Sequence, residues 1–162
     1  MACQQAAKWL YRLEHGYAWQ SPYRFDRDWA FQDGQGKTRL VLTTDGVVSV
    51  TAGYAWDGCT PKTCLLDLVI GTPDGVVFLG TGRPKTYYAS LVHDALYQFL
   101  PDGLPLTRAQ ADRCFLLLMT ESQFAPRRLY YWAVRAFGWL TLPITRRIRA
   151  TYGGRRLDLE EQ

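Results

Sequence analysis

The residues best suited to chemistry lie in one stretch, Ser90 to Tyr97. It holds His93, one of two histidines in the 162-residue chain, followed directly by Asp94 and, four positions on, by Tyr97. On a helix, His93 and Tyr97 share a face, while Asp94 is turned away from them by about 100°. Further on, Arg108 and Asp112 are also four apart, and Phe115 and Met119 continue their face. If the two stretches are antiparallel helices, Asp112 falls against His93. A carboxylate on one imidazole nitrogen fixes the tautomer and raises the basicity of the other, which then suits a general base acting on water. His93, Asp112 and Tyr97 are therefore the candidate catalytic group.

Asp94 has a different task open to it. Together with Asp57, or with backbone carbonyls of the 54–60 loop, it would form an all-oxygen site for a hard cation such as calcium. Such an ion would polarise a carbonyl or phosphoryl oxygen. The same residues also fit a purely structural role, in which Asp112 satisfies a buried His93 to brace two helices and Asp94 is simply solvated. Two other chemistries have less behind them. Phosphohydrolases with a helical His-Asp motif need further histidines, and His15 lies in the strand region with no partner of suitable spacing. Cys59, in the same loop as Asp57, is a candidate nucleophile, although small buried cysteines are commoner.

The elements that must position these groups follow from periodicity. Lys8 to Glu14 alternates as a half-buried strand, Tyr17 to Trp19 as a second, and Ser21 to Gly36 reads as turns and loops. Lys37–Thr43 and Val47–Val50 flank Thr44-Asp45-Gly46, a hairpin signal. Gly53 to Pro61 leaves the sheet as a loop, and Lys62 to Ile70 reads as a short helix with Leu65, Leu66, Val69 and Ile70 on one face. The glycine- and proline-rich connection 71–84 suits a small hairpin around Asp74-Gly75 or a flap. After Pro84 the period becomes helical. Tyr88 to Phe99 reads as an amphipathic helix stopped by Pro101-Asp102-Gly103. A second helix starts after Thr107, with Gln110 as its capping-box partner and Ala111, Cys114, Phe115, Leu118 and Met119 as its buried stripe. A third runs from Arg127 and carries Tyr130, Tyr131, Val134 and Phe137. Strands followed by helices define an α+β protein: an N-terminal antiparallel β-sheet, then about three C-terminal helices, two of them an antiparallel pair. One domain over residues 1–150 and a polar tail over 151–162 fit the length.

Composition is ordinary for a globular chain, and charge is not evenly placed. Residues 1–126 carry 11 Lys/Arg against 12 Asp/Glu, whereas residues 127–162 carry 8 arginines against 3 acids. The four cysteines show no Cys-x-x-Cys spacing, which argues against a zinc ribbon or a thioredoxin-like site. The first residues lack a basic start and an apolar run, so no signal peptide is expected, and a cytoplasmic or virion-associated location follows. Segment 127–149 mixes arginines with Trp and Tyr. Arg135 interrupts it, so a transmembrane span is not expected. It reads either as a core-packing helix with a wet arginine face or as a docking surface for lipid. No DNA- or RNA-reading motif accompanies it, which argues against nucleic acid.

Taken together, Trp56-Asp57-Gly58-x-Thr60, His93-Asp94-x-Leu96-Tyr97 and Arg108-x-x-x-Asp112-x-x-Phe115 resemble an uncharacterised family of small phage and prophage proteins, a domain of unknown function, over roughly residues 40–140. That resemblance implies phage assembly proteins as partners and no established activity. A more distant likeness is to calcium-dependent secretory phospholipases, whose catalytic helix carries His-Asp-x-x-Tyr. It implies His93 as base, Asp94 as a calcium ligand and Asp112 as the support of His93. Those enzymes also carry a glycine-rich calcium loop and cysteines beside the His-Asp pair, where this chain has Val92 and Ala95. The expectation is a hydrolase acting on an ester, with lipid as one candidate. The alternative is a virion or accessory protein braced by the same residues.

Overall fold

The computed structural model describes residues 11–56, 63–65, 68–70, 77–78, 82–136 and 155–158. Side chains are described for 11–56 and 82–136. The architecture is α+β, with antiparallel sheets followed by three helices.

The main sheet uses strands β2 (Tyr17–Gln20), β3 (Trp29–Gln32), β4 (Thr38–Leu42), β5 (Val47–Val50) and the late strand β11 (Arg155–Asp158), in the order β11-β3-β4-β5-β2. The expected hairpin is β4–β5. Gly46 turns it at φ +89°, and a Cβ there would meet the Tyr23 carbonyl oxygen at 2.2 Å, so only glycine fits. Period-two burial is clear in this pair: Leu40, Leu42 and Val48 are fully buried and Val50 nearly so, with half-buried residues between them.

Short strands flank the sheet. β1 (Tyr11–Arg12) pairs with β6 (Ala55–Trp56), so the segment expected to leave the sheet as a loop first makes two strand residues. Residues 57–62, with Asp57 and Cys59, lie outside the described residues. So do Lys8 to Leu10 at the start of the first expected strand.

The helix expected over Lys62–Ile70 is corrected. Thr63–Leu65 (β7) and Leu68–Ile70 (β8) pair antiparallel, Cys64 opposite Val69. Four apolar residues in so short a window match both periods, and β-branched Val69 and Ile70 favour the pleated form. Between Gly71 and Pro84, Val77–Phe78 (β9) pairs with Arg83–Pro84 (β10). Asp74-Gly75, where a hairpin was expected, is outside the described residues. The region read as turns, Ser21 to Gly36, contains β3, in which Trp29 and Phe31 are buried. Finally, Arg155–Asp158, read as part of a polar tail, pairs with β3 at the sheet edge.

Helix α1 (Tyr87–Phe99) is the centre of the molecule. It is buried almost all round, and only Tyr88, Asp94 and Gln98 are half-buried. The expected amphipathic face is real, but a second neighbour covers the other side. Towards the sheet, Phe99 packs on Phe31 with ring centroids 5.4 Å apart, and Trp56 Nε1 donates to Ser90 Oγ at 3.1 Å. Towards the C-terminal half lies α2 (Arg108–Glu121). A 3-10 turn, Leu100–Asp102, and Gly103 at φ +81° reverse the chain between them. The capping box at Thr107 and Gln110 is formed, and the predicted stripe Ala111, Cys114, Phe115, Leu118 and Met119 is buried. Glu121, the last residue of α2, accepts Trp19 Nε1 from β2 on both carboxylate oxygens at 3.0 Å. A third helix, α3, is described over 127–136; Phe137 and residues to 154 lie outside the description. Tyr130 on α3 is buried edge-on against Phe124, with centroids 5.0 Å apart. Among the described residues no helix is long and apolar enough to cross a membrane.

Candidate active site

The antiparallel register of α1 and α2 follows from two contacts. His93 meets Asp112, and Tyr97, one turn later on α1, meets Arg108, one turn earlier on α2. This brings together the three residues singled out from sequence spacing. His93 Nε2 lies 3.0 Å from Asp112 Oδ1, and Tyr97 OH donates to the same oxygen at 2.5 Å. The His93 ring sits between Tyr97 and Phe115, with centroids 4.2 and 4.8 Å away. Asp112 has no exposed surface, and His93 is 8% exposed.

The protonation pattern follows from the donor set. An ionised carboxylate only accepts, so the Nε2 facing Asp112 carries the proton, and in a neutral ring the lone pair is then on Nδ1. Burial would push Asp112 up, but donors from His93, Tyr97 and Arg135 outweigh it and hold the carboxyl below its usual range. For His93 burial lowers the value. The bond to Asp112 and the nearby Asp94 carboxylate win, and the ring titrates above an ordinary histidine. Burial, then the bond to Asp112, pushes the Tyr97 phenol well up, with Arg108 opposing, so it remains an O–H donor at neutral pH.

Spacing did not reveal the second pair of contacts. Arg135, on α3, donates from Nη1 to Asp112 Oδ2 at 2.9 Å. Arg108 Nε is 3.9 Å from Asp112 Oδ2, and its hydrogen bonds go elsewhere. It donates through Nε to Tyr97 OH at 3.0 Å, and through its terminal nitrogen to the carbonyls of Val134 and Arg135 at 3.1 and 2.7 Å. The one hint of Arg135 in the sequence is a lone cation inside an aromatic, apolar run. Nothing local ties it to a carboxylate 23 residues earlier.

Asp94 makes no contact with Asp112 in this network and lies on the other, Nδ1, side of the His93 ring. Its Oδ1 is 3.9 Å from His93 Nδ1, beyond hydrogen-bond length, and its side chain is 35% exposed. It shares a stripe with Gln98, which accepts from Tyr54 OH at 2.9 Å. Tyr54 is pushed well up, by burial first and then by the Asp94 charge. Asp94 is therefore close enough to Tyr54 for its charge to act on that phenol. Asp57 itself is outside the described residues. Among the described residues no three His, Cys, Asp or Glu side chains cluster as a metal site.

The other candidate nucleophiles and bases are separated from this centre or not described. Cys59 lies outside the described residues. His15 is exposed between β1 and β2. Cys114 is buried, and burial pushes its thiol up to about 12, so it carries no useful thiolate at neutral pH.

Compared with known proteins, the chain matches no family model, no curated protein and no solved structure. The chemistry of the site rests on its own geometry.

Proposed function

We propose that this chain is a hydrolase of the phage and prophage type that cleaves an ester by general-base catalysis. The observation that carries the reading is the buried His93–Asp112 pair, bonded through Nε2 so that Nδ1 is the basic nitrogen, beside a partly exposed Asp94. In this scheme Nδ1 takes a proton from water as the water oxygen attacks the ester carbonyl. The imidazolium, stabilised by Asp112, returns that proton to the alkoxide as the acyl C–O bond breaks, giving acid and alcohol. Calcium held by Asp94 and Asp57 would supply charge stabilisation to the carbonyl oxygen. The ester is assigned to a lipid on the strength of α3, where Leu129 and Trp132 are 68% and 67% exposed beside exposed Arg128. An apolar face with arginine and tryptophan suits the headgroup zone of an anionic bilayer.

A second reading has its own observation. Both oxygens of Asp112, on α2, are filled by donors from the two helices beside it, α1 and α3, as a clasp would require. The deciding experiment measures hydrolysis of phospholipid vesicles and a chromogenic ester across a calcium titration, for the wild type, His93→Ala and Asp94→Asn. The hydrolase reading expects wild-type turnover, loss of at least about 100-fold in His93→Ala, and a weakened calcium response in Asp94→Asn. Folded wild type with no turnover at any calcium concentration leaves the clasp.

A further inference from the structure

We propose that α3 sets the proton arrangement of the dyad, with Arg135 and Arg108 as positioning residues that leave the neutral His93 ring in a single tautomer, protonated at Nε2. The argument rests on which groups can only donate. A guanidinium has no acceptor. Since Arg108 Nε donates to the Tyr97 oxygen at 3.0 Å, the Tyr97 proton is directed away from Arg108, and Asp112 Oδ1 lies 2.5 Å from it. Since Arg135 donates to Asp112 Oδ2 at 2.9 Å, that oxygen is occupied by a cation and favours a carboxylate without a proton. Asp112 is left as an acceptor for every neighbour, so the His93 nitrogen facing it at 3.0 Å must be the protonated one.

Remove Arg135 and this direction is no longer enforced. Without Arg135 the carboxylate can take up a proton from solvent on one oxygen; the protonated carboxyl then donates to an unprotonated Nε2, and the ring's own proton sits on Nδ1, which blocks the proposed base. Arg108 supports the same arrangement from the other side, because its grip on the Val134 and Arg135 carbonyls fixes where Arg135 begins. The charged and titratable groups around the ring come from each neighbouring element: Asp94 and Tyr97 from α1, Arg108 and Asp112 from α2, and Arg135 from α3. Only the expected effect on rate depends on the hydrolase reading; the tautomer does not.

The test is nitrogen-15 NMR of the full chain labelled at histidine, at a pH where the rings are neutral. There are two histidines, and exposed His15 serves as an internal reference. The wild type is expected to show one His93 tautomer with a pyrrole-type Nε2 and a pyridine-type Nδ1. Arg135→Gln, checked for folding by circular dichroism, is expected to show a mixture, and kcat on the chromogenic ester is expected to fall about 10–100-fold with KM unchanged. Arg135→Lys, which keeps one cationic donor, is expected to restore the single tautomer. A folded Arg135→Gln with the same single tautomer as wild type overturns the proposal. If Arg135→Gln does not fold, the wild-type spectrum decides: a ring protonated at Nδ1, or a mixture, overturns it. Absence of hydrolysis in the wild type removes the hydrolase reading and leaves the NMR result standing.

Discussion

The two buried sides of α1 solve the same problem with different chemistry. Towards the sheet, polar groups are paired as neutral hydrogen bonds. Trp56 Nε1 donates to Ser90 Oγ, which donates in turn to the Tyr87 carbonyl at 3.0 Å, and Tyr54 reaches Gln98. Towards α2 and α3, the pairing is built from an imidazole, a fully buried carboxylate and two guanidiniums. Neutral bonds are enough to hold a helix on a sheet. Buried charges cost several kcal/mol each in desolvation, and apolar replacements are often as stable. A side that only had to be braced could have been built like the sheet side. The ionisable side instead sets an imidazole, a phenol and a guanidinium on one buried carboxylate, at the expense of a costlier interior.

The comparison breaks most visibly at Asp112. Asp112→Ala is expected to destabilise the protein by about 3–5 kcal/mol, because it strands Arg135, His93 and Tyr97 together; chemical denaturation reads this directly. Ser90→Ala on the sheet side leaves the buried Trp56 N–H without its acceptor and is expected to cost about 1–3 kcal/mol in the same measurement, with hydrolysis unaffected. Equal losses at the two positions would erase the distinction between the sides.

The pH dependence sharpens it further. His93 titrates above its unfolded value near 6.5. Its contribution to stability is therefore fully present below about pH 6.5 and is lost as pH rises through the raised folded value. Asp112 runs the opposite way, since its folded value is depressed. Its contribution is present above about pH 4 and is lost as pH falls through that lower value. The proposed hydrolysis needs neutral His93, so under that proposal the rate climbs over the same upper interval in which stability declines. Parallel thermal melts and rate profiles will show the crossing, and Ser90→Ala should leave its position unchanged. The smallest effect on stability belongs to the outer face of α3. Trp132→Ser is expected to change unfolding free energy by less than about 0.5 kcal/mol while lowering binding to anionic vesicles in a sedimentation assay.

Much of the ionisable side was legible in sequence because helical geometry is rigid. Once α1 and α2 are helices, spacings of four fix His93 with Tyr97 and Arg108 with Asp112, and a short connection makes the pair antiparallel. The Thr107 capping box and the Asp45-Gly46 hairpin were legible for the same reason, since local chemistry determines each. The strand Trp29–Gln32 was not. Its four residues sit between aspartate-rich turns, and its burial is decided by β4 beside it. The pair Thr63–Leu65 and Leu68–Ile70 reads as a helix in sequence because six apolar-rich residues satisfy either period. Arg155–Asp158 looked like tail because an edge strand needs little hydrophobic patterning when its partner provides the hydrogen bonds. Arg135 escaped because its meaning depends on where a third helix lands.

The crossing of Arg108 and Arg135 has one more consequence. The α2 arginine grips the backbone of α3, and the α3 arginine grips the α2 carboxylate, so each helix holds the other at a point the other needs. Such mutual attachment makes α3 and the His93–Asp112 pair one cooperative unit of local opening. Slow hydrogen exchange of amides in 127–136 is then a direct reading of how long the His93–Asp112 pair stays assembled.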